Sequence, residues 1–251
     1  MDYVVSDIHG NFNALKRLLK HVKFTEKDTL IINGDILDRG SQILDVIKFV
    51  FLVPNVELIM GNHELMFINA YETGLLTKFF DDSYNYESEI IDLWLLNGGM
   101  ETIKVLVKYS IEDGENKFEK LYNFLKERPY YIARGENIIT HAGPSNELKS
   151  FRKNEIIENL CSLEKSDLVW DRYFNLNAIR FDFCKLDNLD CNIIIGHTTI
   201  KNFNVSPIRV IGENYIANIN YTFGDHMAIL NLDKKVLYCI GNNLEIIEKT
   251  I

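Results

Sequence analysis

The segment "TLIINGDILDRG", Thr29 to Gly40, decides how the rest of the chain is read. Leu30, Ile31 and Ile32 form a short apolar run, which predicts a buried strand. The run leads directly into Gly34-Asp35 and then into Asp38-Arg39-Gly40. Two carboxylates and a guanidinium therefore share one tight loop at a strand end. The flanking glycines let the backbone turn sharply enough to aim all three at one place. In open α/β sheets, ligands collect at the carboxyl ends of strands.

The same design recurs along the chain. "DYVVSD" ends at Asp7, "VELIMGN" ends at Asn62, "NIITHAG" reaches His141 and "NIIIGHT" reaches His197. Each run is short, rich in β-branched residues and closed by a polar residue beside glycine or histidine. Helical periodicity fills the gaps: Leu15, Leu18, Leu19 and Val22 make one stripe, and Ile43, Ile47, Val50 and Phe51 another that stops before Pro54. This alternation predicts an α/β fold with parallel pairing. Residues 65–129 read as a helical block, with "SEIIDLWLLN" stopped by Gly98-Gly99 and a stripe of Phe118, Leu121, Tyr122 and Leu125 closed by Pro129. The block carries no catalytic cluster of its own and is expected to be an accessory layer, with Trp94, like Trp170, serving as core or pocket wall. From Tyr215 to Ile247, "HMAILNL" and "KVLYCI" predict antiparallel strands. No linker or repeat divides the chain, so residues 1–251 are expected to form a single domain.

Composition narrows the functional classes. A formal net charge of −9 gives no non-specific attraction to a nucleic-acid backbone, so no nucleic-acid partner is expected. Cys161, Cys184, Cys191 and Cys239 show neither C-x-x-C nor zinc-finger spacing and are expected to be buried or partly buried thiols in a reducing compartment. "MDYVVSDIHG" has no basic or long apolar region of the signal-peptide kind. The most apolar stretch, Val46 to Met60, is broken by Lys48, Pro54 and Glu57, too often for a membrane span. A cytoplasmic location without a membrane partner is the expectation.

The strand-end groups are Asp7 with His9, Asp35 with Asp38 and Arg39, Asn62 with His63, His141, and His197. Four of the six histidines lie at these positions. One Asp next to glycine is ordinarily a turn or a helix cap, and one histidine is ordinarily structural. Five such ends in series favour a site instead. Carboxylate, amide oxygen and imidazole together suit Mn²⁺, Fe²⁺, Zn²⁺ or Mg²⁺ rather than a thiolate-loving ion.

"DIHG" (7–10), "GDILDRG" (34–40) and "GNHE" (61–64) resemble the signature of the calcineurin-like metallophosphoesterases. The DRG and GNHE forms resemble its phosphoprotein-phosphatase branch. "LWLLNGGMETI", "ITHAGP", "LVWDRY" and "IIIGHTTI" follow in the order seen in bacterial and phage serine/threonine phosphatases of the lambda type. The resemblance runs from Tyr3 to about Leu232. It implies a central β-sandwich of mixed sheets flanked by helices, with 65–129 as a helical insertion. It also implies two divalent cations, Mn²⁺ foremost, with Asp7 and His9 on one, Asp35 between them, and Asn62, His141 and His197 on the other. His63 would be the general acid, oriented by Asp38, and Arg39, Arg172 and Asn62 would bind phosphate. One departure stands out: Asn218-Ile219-Asn220 occupies the place of an Asp-Thr-Gly-like stretch, with Asp225 and His226 as candidate rim groups.

The resemblance implies phosphate removal from phosphoserine or phosphothreonine, by direct attack of hydroxide held at the metals. The substrate would be a phosphorylated protein or a small phosphorylated molecule. A dinucleoside polyphosphate hydrolase of the symmetrical diadenosine tetraphosphatase kind is the alternative, since the same core cleaves phosphoanhydrides. His9, "GNHEL" and "VWDR" favour the phosphatase. The intact ligand set disfavours a non-enzymatic phosphate binder. The two arginines suit a dianionic monoester better than a diester.

Overall fold

The computed structural model describes residues 1–74, 76, 88–145, 148, 150–174, 188–199, 207–220, 226–241 and 245–251. Cys184 and Asp225 lie outside these residues. In chain order the elements are β1 (Asp2–Val5), α1 (Phe12–His21), β2 (Thr29–Asn33), α2 (Ile43–Leu52), β3 (Val56–Ile59), α3 (Asn62–Glu72), α4 (Glu89–Leu96), α5 (Gly99–Asp113), α6 (Lys117–Leu125), β4 (Tyr131–Arg134), β5 (Asn137–Thr140), α7 (Lys153–Ser162), α8 (Lys165–Trp170), β6 (Asn192–Ile195), β7 (Ile208–Ile211), β8 (Asn214–Asn218), β9 (Ala228–Asn231), β10 (Val236–Ile240) and β11 (Ile246–Thr250). Among the described residues no helix is long and apolar enough to cross a membrane.

Two mixed sheets result, one ordered β11-β10-β9-β1-β2-β3 and one ordered β4-β5-β6-β8-β7. β1, β2 and β3 pair in parallel, as the alternating pattern predicts. β9 pairs antiparallel with both β1 and β10. β8 departs from the expectation of a purely antiparallel C-terminal region. It belongs to the second sheet, parallel to β6 and antiparallel to β7. Its unbroken apolar run Tyr215-Ile216-Ala217 fits burial on both faces, but such a run does not specify which neighbour completes the ladder.

Period-two alternation sorts the strand residues into layers. Val4, Ile31, Ile139, Ile194, Tyr215, Ala217 and Leu230 point into the space between the sheets. Tyr3, Val5, Leu30 and Ile32 face the opposite way, onto the layer containing Leu15, Leu18, Ile43, Val46 and Ile47. Ile138, Ile193, Ile195 and Ile216 likewise pack with Ile156, Leu160, Leu168 and Val169 of α7 and α8. Truncating one of these fully buried isoleucines to alanine costs about 2–5 kcal/mol.

The helices begin and end where their sequence directs. The Asn11 side chain accepts the Ala14 N–H at 3.2 Å, capping α1. α2 stops at Val53, ahead of Pro54. After α4, Gly98 takes φ of +103°, and α5 starts immediately behind it. The two sheets are tied at their margins by a two-pronged Arg134–Glu57 pair, at 2.7 Å for each oxygen. Deeper, the Asn33 amide on β2 donates to the Thr140 carbonyl on β5 at 3.0 Å. This second tie brings the carboxyl ends of β2 and β5 together, and the candidate site forms there. Of the cysteines, Cys191 and Cys239 are buried as expected, whereas Cys161 is on the exposed side of α7.

Candidate metal centre

The loops after β1 and β2 extend the parallel ladder beyond the strands. Asp7 N–H donates to the Gly34 carbonyl at 3.1 Å and His9 N–H to that of Asp35 at 2.9 Å. Six of the eight described non-glycine residues with positive φ are Asp7, His9, Asp35, Asp38, Arg39 and His197. A left-handed conformation costs an L-residue about 1–2 kcal/mol. Such strain persists where the surroundings over-determine the backbone, and here it coincides with the strand-end groups. Gly34, at φ +77°, is also needed for space: a Cβ there would meet Gly61 Cα at 2.7 Å and His141 Nδ1 at 2.6 Å.

Glu64, fully buried at the start of α3, fixes this backbone. Its carboxylate accepts four backbone N–H groups: Asp35 at 2.7 Å, Ile36 at 2.9 Å, Leu37 at 3.3 Å and Gly61 at 3.0 Å. Burial and the Asp35 charge push Glu64 up to about 7, while the four donors favour the ionised carboxylate. The donors decide its role, because a carboxylate with lone pairs on both oxygens satisfies every one of them.

Asp35 sits at the centre. Its Oδ1 lies 3.5 Å from His141 Nε2 and its Oδ2 lies 3.6 Å from His9 Nε2. The two oxygens thus serve two donor groups, one of His9, Asp35 and His63 and one of Asp35, His141 and His197. Asn62 joins the second, with Oδ1 3.2 Å from His141 Nε2 and 2.9 Å from His197 Nδ1. Backbone carbonyls set the histidine tautomers. His9 Nδ1 is 2.8 Å from the Leu37 carbonyl, and His141 Nδ1 is 2.8 Å from that of Asn33. With Nδ1 donating, His9 is left with its lone pair on Nε2, as a metal-ligating imidazole requires, and His141 would expose the same lone pair on releasing its Nε2 proton to a cation. The donor set therefore fits a pair of cations.

Electrostatics agrees. Burial, with Asp35 opposing and His63 and Arg39 assisting, pushes His9 down to about 3. Burial, with His141 and Arg172, pushes His197 down to about 2. Both shifts favour the neutral ring at physiological pH, the form a metal-binding imidazole needs. His141 is raised to about 9, since burial is outweighed by the Asp35 carboxylate. Asp35 itself is held well below the usual carboxylate range: burial is outweighed by His141 and His63. A cation bound here would take over the charge that the protonated His141 ring supplies.

Beside this group stands a second arrangement. His63 Nδ1 is 2.6 Å from Asp38 Oδ2. The same oxygen accepts the Trp94 indole N–H at 2.9 Å, and the Thr102 hydroxyl donates to Asp38 Oδ1. The Arg39 guanidinium reaches over both rings, 2.9 Å from His63 Nε2 and 3.0 Å from His9 Nε2. Its Nε–H donates to the Asn97 carbonyl at 3.3 Å.

A family model described as calcineurin-like phosphoesterase matches residues 3–226. The chain belongs to the calcineurin-like phosphoesterase family. The serine/threonine-protein phosphatase 2 of Salmonella typhimurium is 27% identical over 203 residues, covering 79% of each chain. The symmetrical bis(5'-nucleosyl)-tetraphosphatase of Buchnera aphidicola is 42% identical over 71 residues, 28% of this chain, which spans only 26% of that relative's length. Among solved structures, a cold-active protein-tyrosine phosphatase of a Shewanella species superposes with a TM-score of 0.56 at 18% identity, covering 98% of this chain and 79% of that one. That last likeness shows the fold.

Within this phosphoesterase, most of the sequence-predicted residues converge. Asp7 is buried but stands outside the two donor groups, and His63 stands inside the first. The Asp7 carboxylate is engaged by the Ser6 hydroxyl, the His197 N–H at 3.2 Å and the Asn220 amide at 2.8 Å. Arg172 is at the rim, its Nη1 3.3 Å from Thr198 Oγ1. Trp170 walls the site edge-on to His197, ring centroids 5.7 Å apart. His226 places Nδ1 2.9 Å from the Ile240 carbonyl.

Sequence reasoning missed Glu64, Trp94, Thr102 and Asn220 as supporting groups. The helical block is more than an accessory layer, because α4 and α5 supply two of the three hydrogen bonds to the Asp38 carboxylate. Glu64 ends the "GNHE" stretch, and Trp94 and Thr102 lie in "LWLLNGGMETI". Those stretches carried the signal, but nothing in their spacing said that the side chains turn inward.

Proposed function

We propose that this phosphoesterase removes phosphate from phosphoserine or phosphothreonine monoesters, with residues 1–251 acting as one catalytic unit. The His63–Asp38 pair at 2.6 Å, set beside Asp35 and under Arg39, is the observation that carries this reading. Asp35 would be shared by two cations, with Asp7 and His9 on one side and Asn62, His141 and His197 on the other. When bound, the cations, Mn²⁺ the leading candidate, would supply Lewis acidity and an activated water. Arg39 and Arg172 would hold the phosphate oxygens and stabilise the charge that builds on them in the transition state. A serine alkoxide leaves poorly, so it needs a proton as the ester bond breaks. In this structure Arg39 Nη2 donates to His63 Nε2 at 2.9 Å while Nδ1 is held by Asp38; with the guanidinium drawn onto the phosphate, Nε2 would carry the proton that passes to the departing oxygen. Burial and Arg39 oppose the protonated ring, but Asp35 and Asp38 outweigh them and His63 is raised. The Salmonella relative of similar length supports a phosphoprotein substrate.

The 71-residue match to a bis(5'-nucleosyl)-tetraphosphatase favours a second reading, hydrolysis of a dinucleoside tetraphosphate. A single panel separates the two. Chelator-treated protein is reloaded with Mn²⁺ and given a phosphopeptide, an aryl phosphate and diadenosine tetraphosphate. The phosphatase reading expects kcat/KM for the phosphopeptide to equal or exceed that for the dinucleotide. A preference for the dinucleotide by orders of magnitude replaces it with the second reading.

A further inference from the structure

The departure at residues 218–220 forms a built network. Asn218, Asn220 and Asp7 are all buried, at 0%, 5% and 1% exposure. Asn218 Nδ2 donates to the Thr198 carbonyl at 2.9 Å. Asn218 Oδ1 accepts the backbone N–H of Asn220 at 2.8 Å. Asn220 Nδ2 then donates to Asp7 Oδ1 at 2.8 Å. The other Asp7 oxygen takes the His197 N–H at 3.2 Å and the Ser6 hydroxyl. A continuous set of hydrogen bonds therefore runs from the residue after His197, through the end of β8, to Asp7. It joins groups assigned to different cations.

The chemistry depends on amides at both positions. An aspartate at 218 could accept from Asn220 but could not donate to a carbonyl, since an ionised carboxylate is an acceptor only. A glycine at 220 would leave Asp7 Oδ1 without this donor. The two asparagines thus replace the expected Asp and Gly together and add one neutral donor to a buried carboxylate. A neutral donor fixes the carboxylate in place and leaves its charge for the cation, whereas Lys or Arg would compete with the metal.

We infer that Asn220 is a positioning residue for Asp7, orienting that carboxylate toward one of the two cations, with Asn218 holding Asn220 in register. The inference rests on the two-metal reading above. Outer hydrogen-bond partners of metal ligands typically contribute about 10- to 100-fold in metal affinity. One ion should feel the loss of Asn220 and the other should not.

The test is a calorimetric titration of the chelator-treated chain, residues 1–251, with Mn²⁺, with electron paramagnetic resonance of the ion pair as the spectroscopic readout. Wild type is expected to take up two ions. Asn220→Gly should weaken one by about 10- to 100-fold and leave the other unchanged, so that the coupled-pair signal develops only at higher Mn²⁺. Asn218→Asp should shift the same ion in the same direction by less. The urea midpoint of the metal-free protein monitors folding, and Asn220→Ala replaces the glycine variant if that variant does not fold. Two ions bound by the variant as tightly as by wild type overturns the inference, and so does an equal loss at both. Wild type taking up no pair of ions instead overturns the two-metal reading itself.

Discussion

His63 Nδ1 and Asp38 Oδ2 lie 2.6 Å apart in the buried floor of the site, with Trp94 and Thr102 holding the same carboxylate from α4 and α5. The pair has a pH signature. Burial lowers the His63 pKa, but Asp35 and Asp38 outweigh it, so the ring is raised above an ordinary imidazole. A raised pKa keeps the ring protonated to higher pH, and the proton is lost as pH rises through that value. Asp38→Asn removes one of the charges responsible. The basic limb of the kcat profile on an alkyl phosphate should therefore move to lower pH, with turnover near pH 8 falling by about 10²-fold or more. An unmoved basic limb would separate Asp38 from the proton donor.

Asp35 and Asp38 share one loop but should behave differently. Asp35→Asn leaves a neutral amide between the two donor groups, and Mn²⁺ calorimetry should show both ions weakened. Asp38→Asn should bind both ions as wild type does. Identical metal-binding curves for the two variants would undo this division of labour.

Glu64 is the keystone of the loop backbone. Glu64→Gln keeps the volume but turns one acceptor oxygen into a donor group facing N–H donors. Loss of hydrogen bonds to a buried charged group costs about 1.5–3 kcal/mol each way it is counted. Urea unfolding should show a loss of that order, and hydrogen exchange should quicken at the Asp35, Ile36 and Leu37 amides. Stability and exchange equal to wild type would remove Glu64 from this role.

Thr102 receives the Asp38 N–H at 3.0 Å and donates to the Asp38 carboxylate, while itself fully buried. Thr102→Val conserves shape and leaves both groups without that partner. A destabilisation of about 1–3 kcal/mol is expected, together with slower turnover on alkyl phosphates. Lost stability with unchanged turnover would make the contact purely structural.

Much of this was legible in the sequence. "TLIINGDILDRG" reads as a strand delivering charges into a loop, and β2 with Asp35, Asp38 and Arg39 behind it is built that way. The strand ends at Asn62, His141 and His197 converge for the same reason: a β-branched run followed by a polar residue fixes both the strand and where it stops. The neighbours of β8 were not legible, since a strand buried on both faces shows the same unbroken apolar run in either sheet. Nor were the second contacts of Asp38 and Asp7. Trp94 lies 56 residues from Asp38, and Asn220 lies 213 from Asp7. Long-range hydrogen bonds of this kind leave no local periodicity.

The most direct test of the account is the leaving-group dependence of His63→Asn. An alkyl phosphate needs a proton on its leaving oxygen, and a nitrophenyl phosphate does not. The account predicts a fall of about 10²–10⁴-fold in kcat on the alkyl ester and a much smaller fall on the aryl ester, with Mn²⁺ content unchanged. Equal losses on the two esters would contradict it.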